Sequence, residues 1–200
     1  ENEKIVNLTE DTKTKWLLYC AILCNDARIT NNNNVIGDPT EACLLTAAID
    51  AGINIETVRK EYTRIHEIPF TSETKRMTVA VKDTEGTVYI ITKGAVESVV
   101  GFIEGDSSYG RGVAEQLSAN GIRNLTYSSK SISATEFVWN ENTTLSGQEY
   151  QGTIGCKDPL RPEVKDAVML ASKAGIRTIM ITGDHKLIAQ NIGTELGILT

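Results

Sequence analysis

The apolar residues of this chain first recur at helical spacing. Trp16, Leu17, Tyr19, Cys20, Leu23 and Cys24 share the apolar pattern of a helix over 12–24. The run of asparagines at 31–34 predicts a loop. Asp38-Pro39-Thr40-Glu41 then opens a second helix that runs to about residue 51. Asp38 suits the N-cap and Glu41 the third helical position. Pro39 suits the first, where its missing N–H would have been unpaired anyway. Gly52 ends this helix, and a third covers about 55–62. Near residue 65 the period changes to two. Residues 65–70, 77–82 and 87–92 read as strands, the last two joined as a hairpin across Asp83-Thr84-Glu85-Gly86. Lys93-Gly94-Ala95 leads into an apolar helix over about 96–103. Another helix spans 111–119, stopped by Asn120-Gly121, and 122–127 is a short strand. A polar loop over 140–147 precedes a strand at 153–156. Helix 162–174, a buried strand over 176–181 and helix 186–196 form a parallel strand–helix unit. The pattern predicts an α+β chain in which a mixed, mostly antiparallel sheet with helices is followed by a partial parallel α/β segment. Two sheet styles imply two domains, 1–157 and 158–200, with the hinge at Asp158-Pro159.

Charge narrows the partners. With 20 basic and 26 acidic residues the net charge is −6, which argues against nucleic acid or an anionic membrane as the main partner. It leaves ATP open, because a local group of Lys and Arg holds phosphates on an acidic protein. The longest apolar runs, such as 16–23, fall short of the ~20 residues of a spanning helix. The opening Glu-Asn-Glu-Lys lacks the basic-then-apolar pattern of a leader peptide. Of the four cysteines, Cys20 and Cys24 lie one helical turn apart, and Cys43 and Cys156 are isolated. His66 and His185 stand near none of them, so zinc-ligand spacing is not met and no metal site is expected. Buried reduced thiols are the better reading.

Six short motifs carry candidate chemistry: Gly37-Asp38-Pro39-Thr40-Glu41-Ala42, Pro69-Phe70-Thr71-Ser72-Glu73-Thr74-Lys75-Arg76-Met77, Lys93-Gly94-Ala95, Gly121-Ile122-Arg123, Lys157-Asp158-Pro159-Leu160-Arg161-Pro162, and Met180-Ile181-Thr182-Gly183-Asp184-His185. Taken singly they read as a capped helix start, a core aromatic, an exposed turn, a solvated arginine, a hinge and a strand end. A strand ending in Thr-Gly-Asp is also how an open α/β sheet presents polar groups at its carboxyl edge. In this order, the motifs resemble the cytoplasmic nucleotide-binding domain of P-type cation-transporting ATPases, continued into the start of the returning phosphorylation domain. The wording Gly-Asp-Pro-Thr-Glu and Asp-Pro-Leu-Arg-Pro is calcium-pump-like, and the His-Pro pair of heavy-metal pumps is missing.

The resemblance implies a set of roles. Phe70 would stack on adenine, as an aromatic face suits a purine. Glu41 and Lys93 would meet the base region, Met77 would pack near it, and Lys75 would approach the nucleotide as a cation. Gly94 would let the backbone come close to the ligand. Arg123 would reach the phosphates with its planar fork of donors. Thr182, Gly183 and Asp184 would support phosphoryl transfer to an aspartate in the motif Asp-Lys-Thr-Gly-Thr. That motif does not occur in these 200 residues, so hydrolysis by this chain alone is not expected. ATP with Mg²⁺ would be the nucleotide of the intact enzyme. Its partners would be ADP, the remaining phosphorylation and actuator domains, and a cation reached only through membrane segments. The location would be the cytoplasmic side of an integral membrane protein. Two other readings stand beside this one: a standalone ATP-binding or regulatory module, and a free phosphatase of the haloacid dehalogenase group. The second is disfavoured because no Asp-x-Asp occurs.

Overall fold

The structure, a computed structural model, describes residues 10–30, 35–140, 145–157, 160–182 and 186–199, with the backbone alone of 186–188. Helix α1 (Thr12–Leu23) starts where the Asp11 carboxylate accepts from the Thr14 N–H at 2.8 Å. A two-residue ribbon follows, β1 (Arg28–Ile29) with β2 (Val35–Ile36). Helix α2 (Pro39–Asp50) is capped as its sequence predicts: Asp38 Oδ1 accepts from the N–H groups of Thr40 and Glu41. Gly52, at φ 79°, turns the chain out of it. Helix α3 (Ile55–Glu61) passes directly into the sheet.

That sheet has five strands in sequence order: β3 (Tyr62–Ile68), β4 (Arg76–Asp83), β5 (Thr87–Gly94), β6 (Arg123–Ser133) and β7 (Glu149–Cys156). Every neighbouring pair is antiparallel, so the expected mixture of directions is not found in it. Between β5 and β6 lie α4 (Val96–Val99), a 3₁₀ turn at Val100–Phe102, and α5 (Ser108–Ala119). The single helix expected over 96–103 is thus shortened. Gly101 is a weak helix former, and the β-branched run before it adds little.

Alternation along β4 and β5 divides two cores. Met77, Val79, Val81 and Ile91 face α1, α2 and α3, where Ile22, Leu44, Leu45 and Tyr127 are fully buried. Ala80, Val88 and Ile90 point the other way, under Ile132, Phe137 and Trp139. This alternation follows from the two-residue period of a pleated strand.

Several expectations change. Strand β6 continues six residues beyond the expected end at 127, and β7 begins at Glu149 rather than 153. Ser128 and Ser129 have low strand propensity, yet both are buried. A polar seam supplies the reason. Ser128 Oγ donates to Gln148 Oε1 at 2.8 Å, Gln148 Nε2 donates to Thr92 Oγ1 at 3.0 Å, and Thr92 Oγ1 lies 3.0 Å from Thr78 Oγ1. Buried hydroxyls and amides are tolerated once each has a partner.

After β7 the described chain holds α6 (Pro162–Lys173) and α7 (Lys186–Glu195). The buried strand expected over 176–181 is not formed there. Ile176, Ile179 and Ile181 are 62%, 70% and 94% exposed, and no described strand pairs with them. A strand exists only through a neighbour that takes its hydrogen bonds. Contact with the rest comes through α7, where Asn191 Nδ2 donates to Ala119 O at 3.4 Å and Glu195 pairs with Lys157. Asp158 and Pro159, the expected hinge, lie outside the described residues, as do Gly183 and Asp184.

Candidate functional site

Glu41 occupies the third position of α2, where a glutamate commonly turns back to its own N-cap. Here it reaches sideways instead. Its Oε2 accepts from the backbone N–H of Asp26 at 3.0 Å, and its Oε1 forms an ion pair with Lys93 Nζ. Lys93 stands near the end of β5 and is only 5% exposed. It lies opposite Met77 of β4 on one side and Tyr127 of β6 on the other. Three strands therefore set Met77, Lys93 and Tyr127 in one row facing the helices. A charge this buried is held only by a paired, hydrogen-bonded partner, which Glu41 supplies.

The segment that turns below Glu41 is fixed by arginines. Arg59 Nη2 donates to the carbonyls of Ile22, Asn25 and Ala27, and Arg64 Nη2 to those of Leu23 and Asn25. The carbonyls of Ile22 and Leu23 lie in the last turn of α1, where carbonyls lack a helical partner and cations oppose the negative end of the helix dipole; those of Asn25 and Ala27 belong to the segment that follows it. Asn25 completes the support by donating to Glu41 O at 3.0 Å. Burial pushes the Cys24 thiol up to about 11, although Lys93 and Arg64 nearby pull the other way. Its sulfur contacts Met77 O at 3.7 Å.

Phe70 lies past the end of β3 rather than within a strand, and is 58% exposed. The loop closes as a turn in which Lys75 N–H donates to Thr71 O at 2.8 Å. Lys75 is exposed and adopts φ 51°, a left-handed conformation unusual for a residue with a Cβ.

The same turn explains Gly94. A Cβ there would sit 2.3 Å from Lys75 O and 2.9 Å from Arg76 Cα, while Ala95 N–H donates to Lys75 O at 3.1 Å. The close approach that demands glycine is thus between two protein backbones.

Glu41, Lys93, Met77, Gly94 and Lys75 are brought together at one end of the sheet. Arg123 is exposed and begins β6. It is three residues, about 10 Å along the strand, from Thr126, the partner of Gly94. Thr182 is described and exposed on the C-terminal segment. Asp26, Asn25, Arg59 and Arg64 carry no motif, and only the fold reveals their part. Two further depressions exist, of about 470 Å³ between α6 and α7 and about 510 Å³ beside Arg59 and Arg64. Neither includes Glu41, Phe70 or Lys93. The candidate site is built on the Lys93–Glu41 ion pair.

Residues 13–102 match the family described as P-type ATPase, cytoplasmic domain N. That span contains Glu41, Phe70, Lys75, Met77, Lys93 and Gly94. Just under half of this chain thus matches P-type ATPase, cytoplasmic domain N. A calcium-transporting ATPase of Bacillus subtilis is 34% identical over 99% of this chain and 24% of its own length. A probable cation-transporting P-type ATPase of Mycoplasma pneumoniae is 35% identical over 89% of the chain and 20% of its own length. A sodium/potassium exporting P-type ATPase of Schizosaccharomyces pombe is 33% identical over 92% of the chain and 19% of its own length. The chain thus spans about a quarter or less of these P-type ATPase relatives. No described helix is long and apolar enough to cross a membrane.

Proposed function

We propose that this chain is the ATP-binding part of a P-type pump that couples ATP hydrolysis, through an aspartyl-phosphate, to cation transport across a membrane. The observation that carries the reading is the buried Lys93–Glu41 pair, together with an exposed Phe70 ring on the loop between β3 and β4. Adenine would lie on Phe70, with its polar edge toward Glu41 and Lys93. An aromatic face offers stacking to any base, while a charged donor and acceptor side by side discriminate its edge. Met77 supports the floor beside Lys93, and Gly94 seats the loop that presents Lys75. Lys75 and Arg123 would meet the phosphates, where a cation and a planar fork suit oxyanions.

On this reading residues 1–157 are the nucleotide-binding domain, and 158–200 begin the phosphorylation domain, hinged at Asp158-Pro159. Thr182, Gly183 and Asp184 would then support the phosphoryl group, with Mg²⁺ screening charge between nucleotide and aspartate. The surroundings would be the cytoplasmic side of a membrane protein. The other domains of the same polypeptide would complete the enzyme.

Titration of ATP, ADP and GTP against ¹⁵N-labelled protein tests the proposal. ATP and ADP should shift amides near Phe70, Lys93 and Glu41 alike, with a Kd in the high micromolar to millimolar range, about 4–6 kcal/mol. Phe70→Ala should weaken binding by about 1–3 kcal/mol. Equal or tighter binding of GTP, or shifts confined to another surface, would overturn the adenine site. Incubation with γ-labelled ATP and Mg²⁺ should leave no hydroxylamine-sensitive label on this chain. A label there would contradict the assignment of the nucleophile to Asp-Lys-Thr-Gly-Thr.

A further inference from the structure

Cys43 and Cys156 look isolated along the sequence, 113 residues apart, yet their sulfurs lie 3.2 Å from one another. Cys43 sits on α2 two residues after Glu41, and its side of the helix is exposed. Cys156 ends β7 directly opposite Arg123 of β6 and is half-buried. The two thiols therefore bridge the element that carries Glu41 and the strand beside Arg123. Cys20 and Cys24 differ. Both are fully buried in the helix-side core.

We propose that Cys43 and Cys156 form a reversible oxidation site, whose intramolecular disulfide fastens α2 to the edge strand β7. Closing from 3.2 Å to a bond of about 2.05 Å needs little movement, and Cys43 lies near the start of its helix. The exposed thiol is the one an oxidant reaches. Burial, with the hydrogen bond from Cys43, pushes the Cys156 thiol up to about 12, so it serves as the second, resolving sulfur.

The chemistry takes a hydroperoxide as oxidant. The Cys43 thiolate attacks one peroxide oxygen, the O–O bond breaks, and Cys43 becomes a sulfenic acid as the leaving oxygen departs as water. The Cys156 sulfur, giving up its proton, attacks the Cys43 sulfur. The S–S bond forms and the sulfenyl oxygen leaves as a second water. Two thiols and one H₂O₂ thus give one disulfide and two waters, a two-electron oxidation of sulfur. A dithiol reverses it by exchange. Where thiols are kept reduced, pairs of this kind act as transient, redox-sensing links.

The test treats the 200-residue chain with stoichiometric H₂O₂, without nucleotide. Non-reducing mass spectrometry should show a loss of about 2 Da, with Cys43 and Cys156 peptides linked. Dithiothreitol should reverse the loss. The oxidised chain should melt several degrees higher than the reduced one, as a cross-link closing a long loop restricts the unfolded state. Cys43→Ser, at an exposed position, should abolish both changes, and Cys156→Ser should do the same. Sulfinic or sulfonic acid on Cys43 without a link, a disulfide between two chains, or equal melting of both forms would overturn the proposal. None of these readouts involves nucleotide, so the nucleotide reading stands or falls separately.

Discussion

The sheet region, residues 10–157, and the segment from 160 to 199 place the same residue types in opposite surroundings. Ile22, Leu45, Val79 and Ile91 are fully buried, whereas Leu170, Ile179 and Ile181 are 69%, 70% and 94% exposed. The two groups do not differ in hydrophobicity. They differ in neighbours: four antiparallel pairings and three helices enclose the first, and no described strand meets the second. An apolar pattern states that a face requires burial. It does not state what will cover it.

Truncation of buried side chains gives the largest contrast. Ile22→Ala or Leu45→Ala should lower stability in urea by about 2–5 kcal/mol. Ile179→Ala, chemically the same kind of change, should stay within about 0.5 kcal/mol. Comparable losses at the two sites would show the C-terminal segment to be packed after all.

Next comes the ion pair. Lys93→Ala leaves the Glu41 carboxylate without its cation at a largely dry position, and should cost about 3 kcal/mol of stability. Adding Glu41→Gln to it should recover part of that loss in the same urea titration. No recovery would mean that Lys93 acts through packing of its stem alone.

Alkali should then act on the buried thiols, which all belong to the sheet region, as residues 157–200 contain no cysteine. Burial raises the Cys24 thiol from 9.0 to about 11, and raises Cys20 further. The folded state keeps these thiols neutral while the unfolded chain ionises them. Their contribution is therefore complete below about pH 9 and is lost as pH rises through the folded values. The loss should be on the order of 1 kcal/mol per thiol for each pH unit in that window. Urea midpoints at pH 8, 9 and 10 measure it, and a flat profile would contradict the burial of both thiols.

Phe70→Ala should have the smallest effect on folding, within about 0.5 kcal/mol, because the ring is 58% exposed in a loop. A loss of several kcal/mol would return Phe70 to the core.

Much of this was legible locally. The Asp38 cap, the stop at Gly52 and the hairpin over 83–86 depend on residues a few positions apart, and the fold realises each one. The motif order pointed to Glu41 and Lys93 together, and the fold pairs them. Less visible was the Ser-rich stretch after 127, whose strand depends on Gln148 twenty residues from Ser128. The need for glycine at position 94 was visible too, but its cause, the Lys75 carbonyl, was not.

What the sequence determined by itself is what short-range chemistry controls: helix starts and stops and strand periodicity. Tertiary structure alone decided which of these met. It turned Glu41 away from its own helix end to Lys93 and Asp26, set Phe70 outside the strand, and placed Cys43 against Cys156. It also left Ile176, Ile179 and Ile181 exposed. Capping and periodicity act over one or two turns of chain. Charge pairing, sulfur proximity and burial depend on residues that only chain closure brings within a few ångströms.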